Sequence, residues 1–263
     1  MTIRLVASDL DGTLFQPDHL VSERAVTAIN ALVDAGAVVA AVTGRSWQTG
    51  LEIATSTGAR LDYFVGANGG HRFNLRTDEM EERLVFEPDE IAPLIKTLLD
   101  TFPDIALMTE HATGYWHNDQ TFELLPMSLE GRPRRNSAEF RPDDVGKLLM
   151  LRPDMSSTDL IAQTRELVPD SMHYTSSGLL FAEVTPAGAS KGEALARLCG
   201  QLDIDRSEVI AFGDNHNDLS MIEWAGRGVA MGNAEPEVKA VAQEIAPPNW
   251  EDGVAQILET LLP

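Results

Sequence analysis

The segment Ser8-Asp9-Leu10-Asp11-Gly12-Thr13-Leu14 follows a short apolar run, Ile3-Arg4-Leu5-Val6-Ala7. The run reads as a buried strand, which delivers two carboxylates, one residue apart, into a turn opened by Gly12. In an extended chain Asp9 and Asp11 point to the same side, because side chains alternate with period two. Two like charges held that close are costly unless a cation or a shared proton compensates them. An acidic turn after a strand is the plain alternative, so the rest of the chain has to decide the meaning of the pair.

Downstream, Ser22 stands as an N-cap before Val26, Ile29, Leu32 and Val33 at helical spacing, and Gly36 ends that helix. Ala37-Val38-Val39-Ala40-Ala41-Val42 is apolar on both faces, as a parallel strand requires. It runs into Thr43-Gly44-Arg45-Ser46, where Ser46 caps a second predicted helix reaching Gly58. Asp62-Tyr63-Phe64-Val65 is a third strand, ending in Gly66-Ala67-Asn68-Gly69-Gly70. Alternating strands and helices predict a parallel sheet with covering helices, whose strands end at their C-termini in the ligand-binding loops.

Residues 71–86 read as a hairpin with an acidic tip, Arg76-Thr77-Asp78-Glu79-Met80-Glu81-Glu82. Texture then changes. Asp89 caps a helix carrying Ile91, Leu94, Ile95, Leu98 and Leu99, with Pro93 in its first turn. Strands are expected around 105–108, 147–151 and 179–184, a helix around Leu160 to Val168, and a long irregular stretch between residues 108 and 147. Residues 87–185 therefore predict an inserted α+β domain with its own apolar faces. The α/β alternation resumes with a helix from Ser190 to Gly200, a strand Glu208-Val209-Ile210-Ala211-Phe212, and Gly213-Asp214-Asn215-His216-Asn217-Asp218 directly after it. Short strands at 228–231 and 244–246 and a final helix bearing Val254, Ile257, Leu258 and Leu261 complete the layer.

The 263 residues carry a formal net charge of -21, which argues against nucleic acid and anionic membrane surfaces as partners. Cys199 is the only cysteine, which excludes an intrachain disulfide and predicts a reducing compartment. With no signal-peptide pattern and no apolar run of membrane-spanning length, the expectation is a cytoplasmic, soluble protein.

Four loops at strand ends or helix starts hold Asp9 and Asp11, Thr43, Lys191, and Asp214 with Asn217 and Asp218. Phosphoryl transfer uses each of these types: a carboxylate nucleophile, oxygen ligands for a hard divalent cation such as Mg²⁺, a hydroxyl and an ammonium for the phosphoryl oxygens, and a second carboxyl for proton transfer. Lys191 at a helix start faces the wrong end of the helix dipole, which favours an anion-facing role over a surface one.

In these residues the chain resembles the haloacid dehalogenase superfamily of phosphohydrolases, in its Cof-type (subfamily IIB) sugar-phosphate-phosphatase branch. Asp9-Leu10-Asp11-Gly12-Thr13 matches the first motif, Val42-Thr43-Gly44-Arg45 the second, Ser190-Lys191-Gly192 the third, and Gly213-Asp214-Asn215-His216-Asn217-Asp218 the fourth, in the family's order. The resemblance implies a Rossmann-like core at 1–86 and 186–263, a parallel sheet flanked by helices, with the α+β segment 87–185 as a cap for substrate specificity. It implies Asp9 as nucleophile and Asp11 as general acid/base, with Asp at the latter position favouring phosphatase or phosphomutase chemistry over dehalogenation. Thr43, Gly44 and Lys191 would bind the phosphoryl group. Mg²⁺ would sit on the Asp9 carboxylate, the Asp11 carbonyl and Asp214, with Asn217 and Asp218 as ligands or as partners of the ligands. Asn68 matches a branch pattern near the substrate, where Gly70 departs from the usual Ala.

The expected activity is a Mg²⁺-dependent phosphatase on a small phosphomonoester, a sugar phosphate or a phosphorylated cofactor, working as a monomer or small homo-oligomer. A phosphomutase of the same fold is the rival within the class, and a phospho-acceptor resembling a response-regulator receiver is the rival outside it. Receivers place an acidic pair on the first strand and phosphorylate an Asp later in the chain, whereas here the proposed nucleophile lies on the first strand, Asp11 follows at once and a large cap is inserted. Other residues stay open. Arg45 either binds phosphate or pairs with core carboxylates, and His216 is a loop residue rather than a metal ligand. His111, Tyr115, Trp116 and His117 line a sugar site or simply pack. Arg132, Arg134 and Arg135 are the candidates for positive charge in the inserted segment, against a solvated loop.

Overall fold

The structure is a computed structural model that describes residues 2–124, 141–176 and 181–262. The chain divides into two compact units, Met1–Glu82 with Ser190–Pro263, and Arg83–Ala189.

The first unit begins with β1 (Leu5–Ser8), every residue of which is buried. Helix α1 (Glu23–Asp34) starts where Ser22 accepts a hydrogen bond from the Ala25 N–H, and it buries Ala25, Ala28, Ile29 and Leu32. Strand β2 (Val38–Val42) follows, then α2 (Trp47–Thr55). Ser46 occupies the N-cap position of α2, but its hydroxyl meets Thr49 Oγ1 at 3.0 Å instead of capping a backbone N–H. Strand β3 (Tyr63–Gly66) leads into the hairpin of β4 (His71–Asn74) and β5 (Glu79–Arg83).

That hairpin corrects the expected acidic tip. Glu79 to Glu82 lie within β5, and the turn is confined to the residues between Asn74 and Glu79. Hydrogen bonds absorb the charge: Glu81 accepts from Asn74 at 2.7 Å and from Arg72 at 3.2 Å, while Glu82 accepts from Arg72 at 3.2 Å and from Arg197 at 2.9 Å. Cross-strand pairs of opposite polarity stabilise a ribbon that its composition alone would send to solvent.

In the second unit α3 (Pro88–Thr101) begins two residues before the expected place, with Glu87 at the N-cap and Pro88 at the first helical position, where its fixed φ fits and its missing N–H costs nothing. Pro93 consequently lies inside the helix, on an exposed face, rather than in the first turn. Strands β6 (Ala106–His111) and β7 (Gly114–His117), helix α4 (Asp119–Leu124), strand β8 (Lys147–Leu151), helix α5 (Ser157–Thr164), and strands β9 (His173–Ser176) and β10 (Ala182–Thr185) complete it. β7 and α4 occupy part of the stretch expected to be irregular. Strands β7 and β9 are short and carry His, Thr and Ser, so they lack the apolar alternation by which strands are read. The five strands form one antiparallel sheet, β7-β6-β8-β10-β9. Leu148, Met150, Ala182 and Val184 from this sheet pack with Ile91, Leu94, Leu98 and Leu160 from α3 and α5. Glu130 to Asn136, with Arg132, Arg134 and Arg135, and the expected strand residues Leu179 and Leu180 lie outside the described residues.

The chain returns to the first unit through α6 (Lys191–Leu202), β11 (Val209–Gly213), α7 (Leu219–Trp224), β12 (Arg227–Ala230), α8 (Pro236–Val241), β13 (Glu244–Ile245) and α9 (Gly253–Glu259). The sheet order is β13-β12-β11-β1-β2-β3-β4-β5, with parallel pairing from β13 through β3 and antiparallel pairing of β3 with β4. From β1 the chain winds outward one way through β2 and β3, and later the other way through β11, β12 and β13. The reversal lies between β1 and β11, where an open α/β sheet leaves a crevice at its strand C-termini. Leu5, Val6, Ala7, Val39 to Val42, Phe64 and Val209 to Phe212 pack the core beneath that crevice.

Candidate active site

Beyond β1 the Asp9 N–H donates to the Phe212 carbonyl of β11 at 3.0 Å, which continues the sheet register one residue further. The chain then closes a single wide turn: Leu14 N–H to Asp9 O at 3.2 Å and Phe15 N–H to Leu10 O at 2.8 Å. Within it Asp11 is extended (ψ 122°) and Gly12 has φ +78°, the left-handed region that glycine tolerates. The loop after β11 presses against this turn. Thr13 Oγ1 donates to Asp214 Oδ1 at 2.6 Å, and Asn233 Nδ2 donates to the Gly12 carbonyl at 2.8 Å.

Lys191, the first residue of α6, is fully buried and bridges two carboxylates: its Nζ lies 2.6 Å from Asp9 Oδ1 and 2.5 Å from Asp218 Oδ1. Burial alone would lower the pKa of the ammonium, but Asp218 and Asp9 outweigh burial and raise it. Asp9 is raised well above the ordinary carboxylate value, first by burial, against which Lys191 works, and then by the charges of Asp218 and Asp214. The like charges pressing on Asp9 thus come from the loop after β11 rather than from Asp11.

Asp218 Oδ2 accepts the N–H groups of Asp214 at 2.9 Å and Asn215 at 3.0 Å, so both of its oxygens are engaged. Asp214 is pushed up to about 7 by burial and the Asp218 charge, with the Thr13 bond opposing. One carboxylate oxygen from each of Asp9, Asp214 and Asp218 lies within 4.8 Å of the others. Three converging carboxylates, two of them shifted upward by burial and mutual repulsion, fit a hard divalent cation with oxygen ligands.

Asp11 faces elsewhere. Its two oxygens receive the Arg45 fork, Nε to Oδ2 at 2.6 Å and Nη2 to Oδ1 at 2.5 Å, and the exposed His19 ring stands 3.8 Å away. Of the two readings open for Arg45, the side-chain geometry is pairing with a carboxylate of the core. Thr43, buried at the end of β2, accepts the Arg45 N–H at its hydroxyl (3.2 Å), and its carbonyl accepts the Asn68 N–H at 3.0 Å. Gly44 lies half-buried between them. Asn68, at φ +56°, accepts from Asn217 Nδ2 at 3.0 Å, which ties the loop after β3 to the loop after β11.

Sequence reasoning passed over Thr13, Asn233 and Asn249. Asn249 donates its N–H to Asn233 Oδ1 (2.9 Å) and its Nδ2 to the Phe15 carbonyl (2.6 Å), so the pair braces the Asp11 turn at Gly12 and at its exit. The signal was available for Asn233, which follows the C-terminus of β12 as the other site loops follow theirs. His216 stands apart from the carboxylate cluster, 3.9 Å from Glu237 and partly exposed. In the second unit Tyr115 packs with Met108, Leu149 and Phe181. Trp116 is buried, His111 Nε2 meets Thr109 Oγ1 at 2.9 Å, and His117 Nδ1 meets the Asn118 carbonyl at 3.0 Å.

A family model of haloacid dehalogenase-like hydrolases matches residues 6–258. The chain is 30% identical over 260 residues to a 5-amino-6-(5-phospho-D-ribitylamino)uracil phosphatase, YcsE, of Bacillus subtilis, covering 97% of this chain and 94% of that one. It is 30% identical over 241 residues to an HMP-PP phosphatase of an Enterobacter species, covering 90% and 87%. BT1666 from Bacteroides thetaiotaomicron has the same fold, with a TM-score of 0.85 at 23% identity over 99% of this chain and 95% of that chain. Among the described residues no helix is long and apolar enough to cross a membrane.

Proposed function

From a chain that belongs to the haloacid dehalogenase-like hydrolase family as a Cof-type phosphatase, we propose a Mg²⁺-dependent phosphomonoesterase acting through an aspartyl-phosphate. The observation that carries this reading is the convergence of Asp9, Lys191, Asp214 and Asp218 at the sheet's reversal point. The substrate is a small phosphomonoester, a sugar phosphate or a phosphorylated cofactor precursor, in line with the phosphorylated metabolite named for YcsE. The unit Arg83–Ala189 is its specificity cap. The lone, buried Cys199 suits a reducing, cytoplasmic setting.

Asp9 Oδ1 is held by Lys191, and among the described residues Oδ2 accepts no hydrogen bond, so Oδ2 is the atom that attacks phosphorus. Lys191 uses two of its three N–H donors on Asp9 and Asp218; the third is available to a phosphoryl oxygen. The Thr43 hydroxyl accepts from Arg45, which leaves its own hydrogen to donate to a second oxygen. As the Asp9–phosphorus bond forms, the bond from phosphorus to the leaving oxygen breaks and that oxygen takes the proton of Asp11. In the second half, water gives its proton to Asp11 and its oxygen to phosphorus, which releases inorganic phosphate and restores Asp9. Mg²⁺ held by Asp9, Asp214 and the Asp11 carbonyl would supply neutralisation of the charge shared by nucleophile and phosphoryl group. Asp218 and Asn217 support these ligands, Asp218 through the Asp214 and Asn215 N–H groups and Asn217 through Asn68.

The test is phosphate release from a panel of sugar phosphates, nucleotides and phosphorylated cofactors, with an aryl phosphate as generic probe. Asp9→Asn is expected to abolish release while its circular dichroism stays that of the wild type. Undiminished release by that variant, or by the wild type in excess chelator, would overturn the reading.

A further inference from the structure

The two cations of the site hold their carboxylates in opposite ways. The Lys191 pairs are sealed: the Lys191, Asp9 and Asp218 side chains are 0%, 6% and 0% exposed. The Arg45–Asp11 pair is open to solvent, with side chains 29% and 41% exposed. It is also bidentate, and planar Arg–carboxylate forks occupy both oxygens of the acid at once. In that arrangement each oxygen of Asp11 carries an Arg45 N–H, and the side chain is turned to Arg45.

We propose that Arg45 is a positioning residue for the acid/base: its guanidinium holds both oxygens of Asp11 until the anionic end of a phosphomonoester takes one arm of the fork, after which the other arm keeps Asp11 oriented with its second oxygen toward the leaving-group oxygen. This rests on the phosphatase reading above and adds to it the device that readies the acid. Three observations support the exchange. The Arg45 N–H donates at 3.2 Å to the hydroxyl of Thr43, one of the groups assigned to the phosphoryl oxygens, which puts Arg45 beside the point where the phosphoryl group arrives. Its backbone is held firmly, with the carbonyl accepting the Ala67 N–H at 2.8 Å and the N–H on the Thr43 hydroxyl. Space around it is also fixed: a Cβ on Gly50 would stand 2.9 Å from Arg45 Cβ, and one on Gly66 would stand 2.9 Å from the Arg45 carbonyl. The residue is anchored through its backbone, so the fork is the part that trades partners, and an incoming dianion competes with the carboxylate for the guanidinium. No covalent bond is made or broken in the exchange; Asp11 leaves the fork as a carboxylate, and the proton it passes to the leaving oxygen comes from solvent, to which its side chain is 41% exposed.

The experiment measures kcat and KM for dinitrophenyl, nitrophenyl and phenyl phosphates and one alkyl phosphate, together with the inhibition constant of inorganic phosphate. It compares the wild type, Arg45→Met, Arg45→Lys, Asp11→Asn and the double variant Arg45→Met/Asp11→Asn. If Arg45 acts through Asp11, Arg45→Met lowers kcat about 100-fold or more for the alkyl ester, whose leaving group needs a proton, and far less for the dinitrophenyl ester. Its inhibition constant for phosphate rises. Arg45→Lys, which keeps the charge and loses the fork, recovers the phosphate affinity but not the leaving-group pattern. In the Asp11→Asn background the loss of Arg45 adds nothing to that pattern. An equal loss across all leaving groups, or additivity of the two substitutions, would overturn the proposal and leave Arg45 a structural partner. Neither result touches the phosphatase reading, which falls only if the wild type releases no phosphate or Asp9→Asn still does.

Discussion

Gly12 and Asp214 are in such close approach that a Cβ on Gly12 would stand 2.4 Å from Asp214 Oδ2. The contact joins the turn after β1 to the loop after β11, and the Thr13–Asp214 hydrogen bond locks it. Gly12→Ala therefore meets two penalties, a positive φ and a clash with a buried carboxylate. Gly36 isolates the first, having φ +93° and no neighbour within 4 Å of a built Cβ. Gly36→Ala is expected to cost about 1 kcal/mol, and Gly12→Ala about 1–3 kcal/mol more, read from urea unfolding. Equal costs at the two positions would show that the contact with Asp214 is slack.

Lys191→Met is expected to be among the most destabilising single changes in the chain. It leaves Asp9 and Asp218 buried without their shared cation, and breaking a buried pair from one side costs about 3–5 kcal/mol. Adding Asp218→Asn should recover part of that loss, because it removes one stranded charge. A single variant within about 1 kcal/mol of the wild type in denaturant titration would mean that the two carboxylates do not depend on Lys191 for their burial.

Binding of Mg²⁺ is readable without turnover. A cation that binds only the folded state adds about 2.7 kcal/mol when its free concentration is about a hundredfold above its Kd. The melting temperature of the wild type should rise with Mg²⁺. Asp214→Asn should rise much less, having lost one of the clustered carboxylates. A wild-type melting curve indifferent to Mg²⁺ at every concentration would remove the cation from the site.

Cys199 links pH to stability away from the site. Burial pushes its thiol up to about 11, whereas an unfolded thiol titrates at about 8.5. Between those values the unfolded chain loses a proton that the folded chain keeps, so stability falls as pH rises through that window and is unaffected by this group below it. Tyr174, raised to about 12 chiefly by burial, adds a fall of the same sign at higher pH. Cys199→Ala should flatten the first fall and keep the second. In the native wild type at pH 8 the thiol should resist a thiol-specific reagent and react once urea is added. Rapid native labelling would contradict the burial of this residue.

How much of this was legible in the chain differs by element. β1, β2, β3 and β11 are apolar on both faces and end in Gly, Asp, Thr or Asn, so their existence and the loops they feed could be read directly. Helix α1 announced itself through Ser22, which caps as expected, and α6 was read from Ser190, whose side chain proves to cap it by accepting the Glu193 N–H. β5 and β9 could not be read so, because their residues are mostly polar, as Glu82 held by the distant Arg197 shows, and β7 is only four residues long, Gly114–His117, with no alternation.

The sequence by itself determined which chemical groups stand at the strand ends: the carboxylates of Asp9, Asp11, Asp214 and Asp218, the Thr43 hydroxyl and the Lys191 ammonium. Their types and order follow from local patterns that repeat within a few residues. Only the tertiary structure decided which group answers which. Asp9 and Asp11, separated in the chain only by Leu10, go to different cations. Asp9 meets a lysine 182 residues away and Asp11 an arginine 34 residues away. Partnership of this kind depends on where parallel strands place their C-terminal loops, a relationship through space that spacing along the chain does not contain.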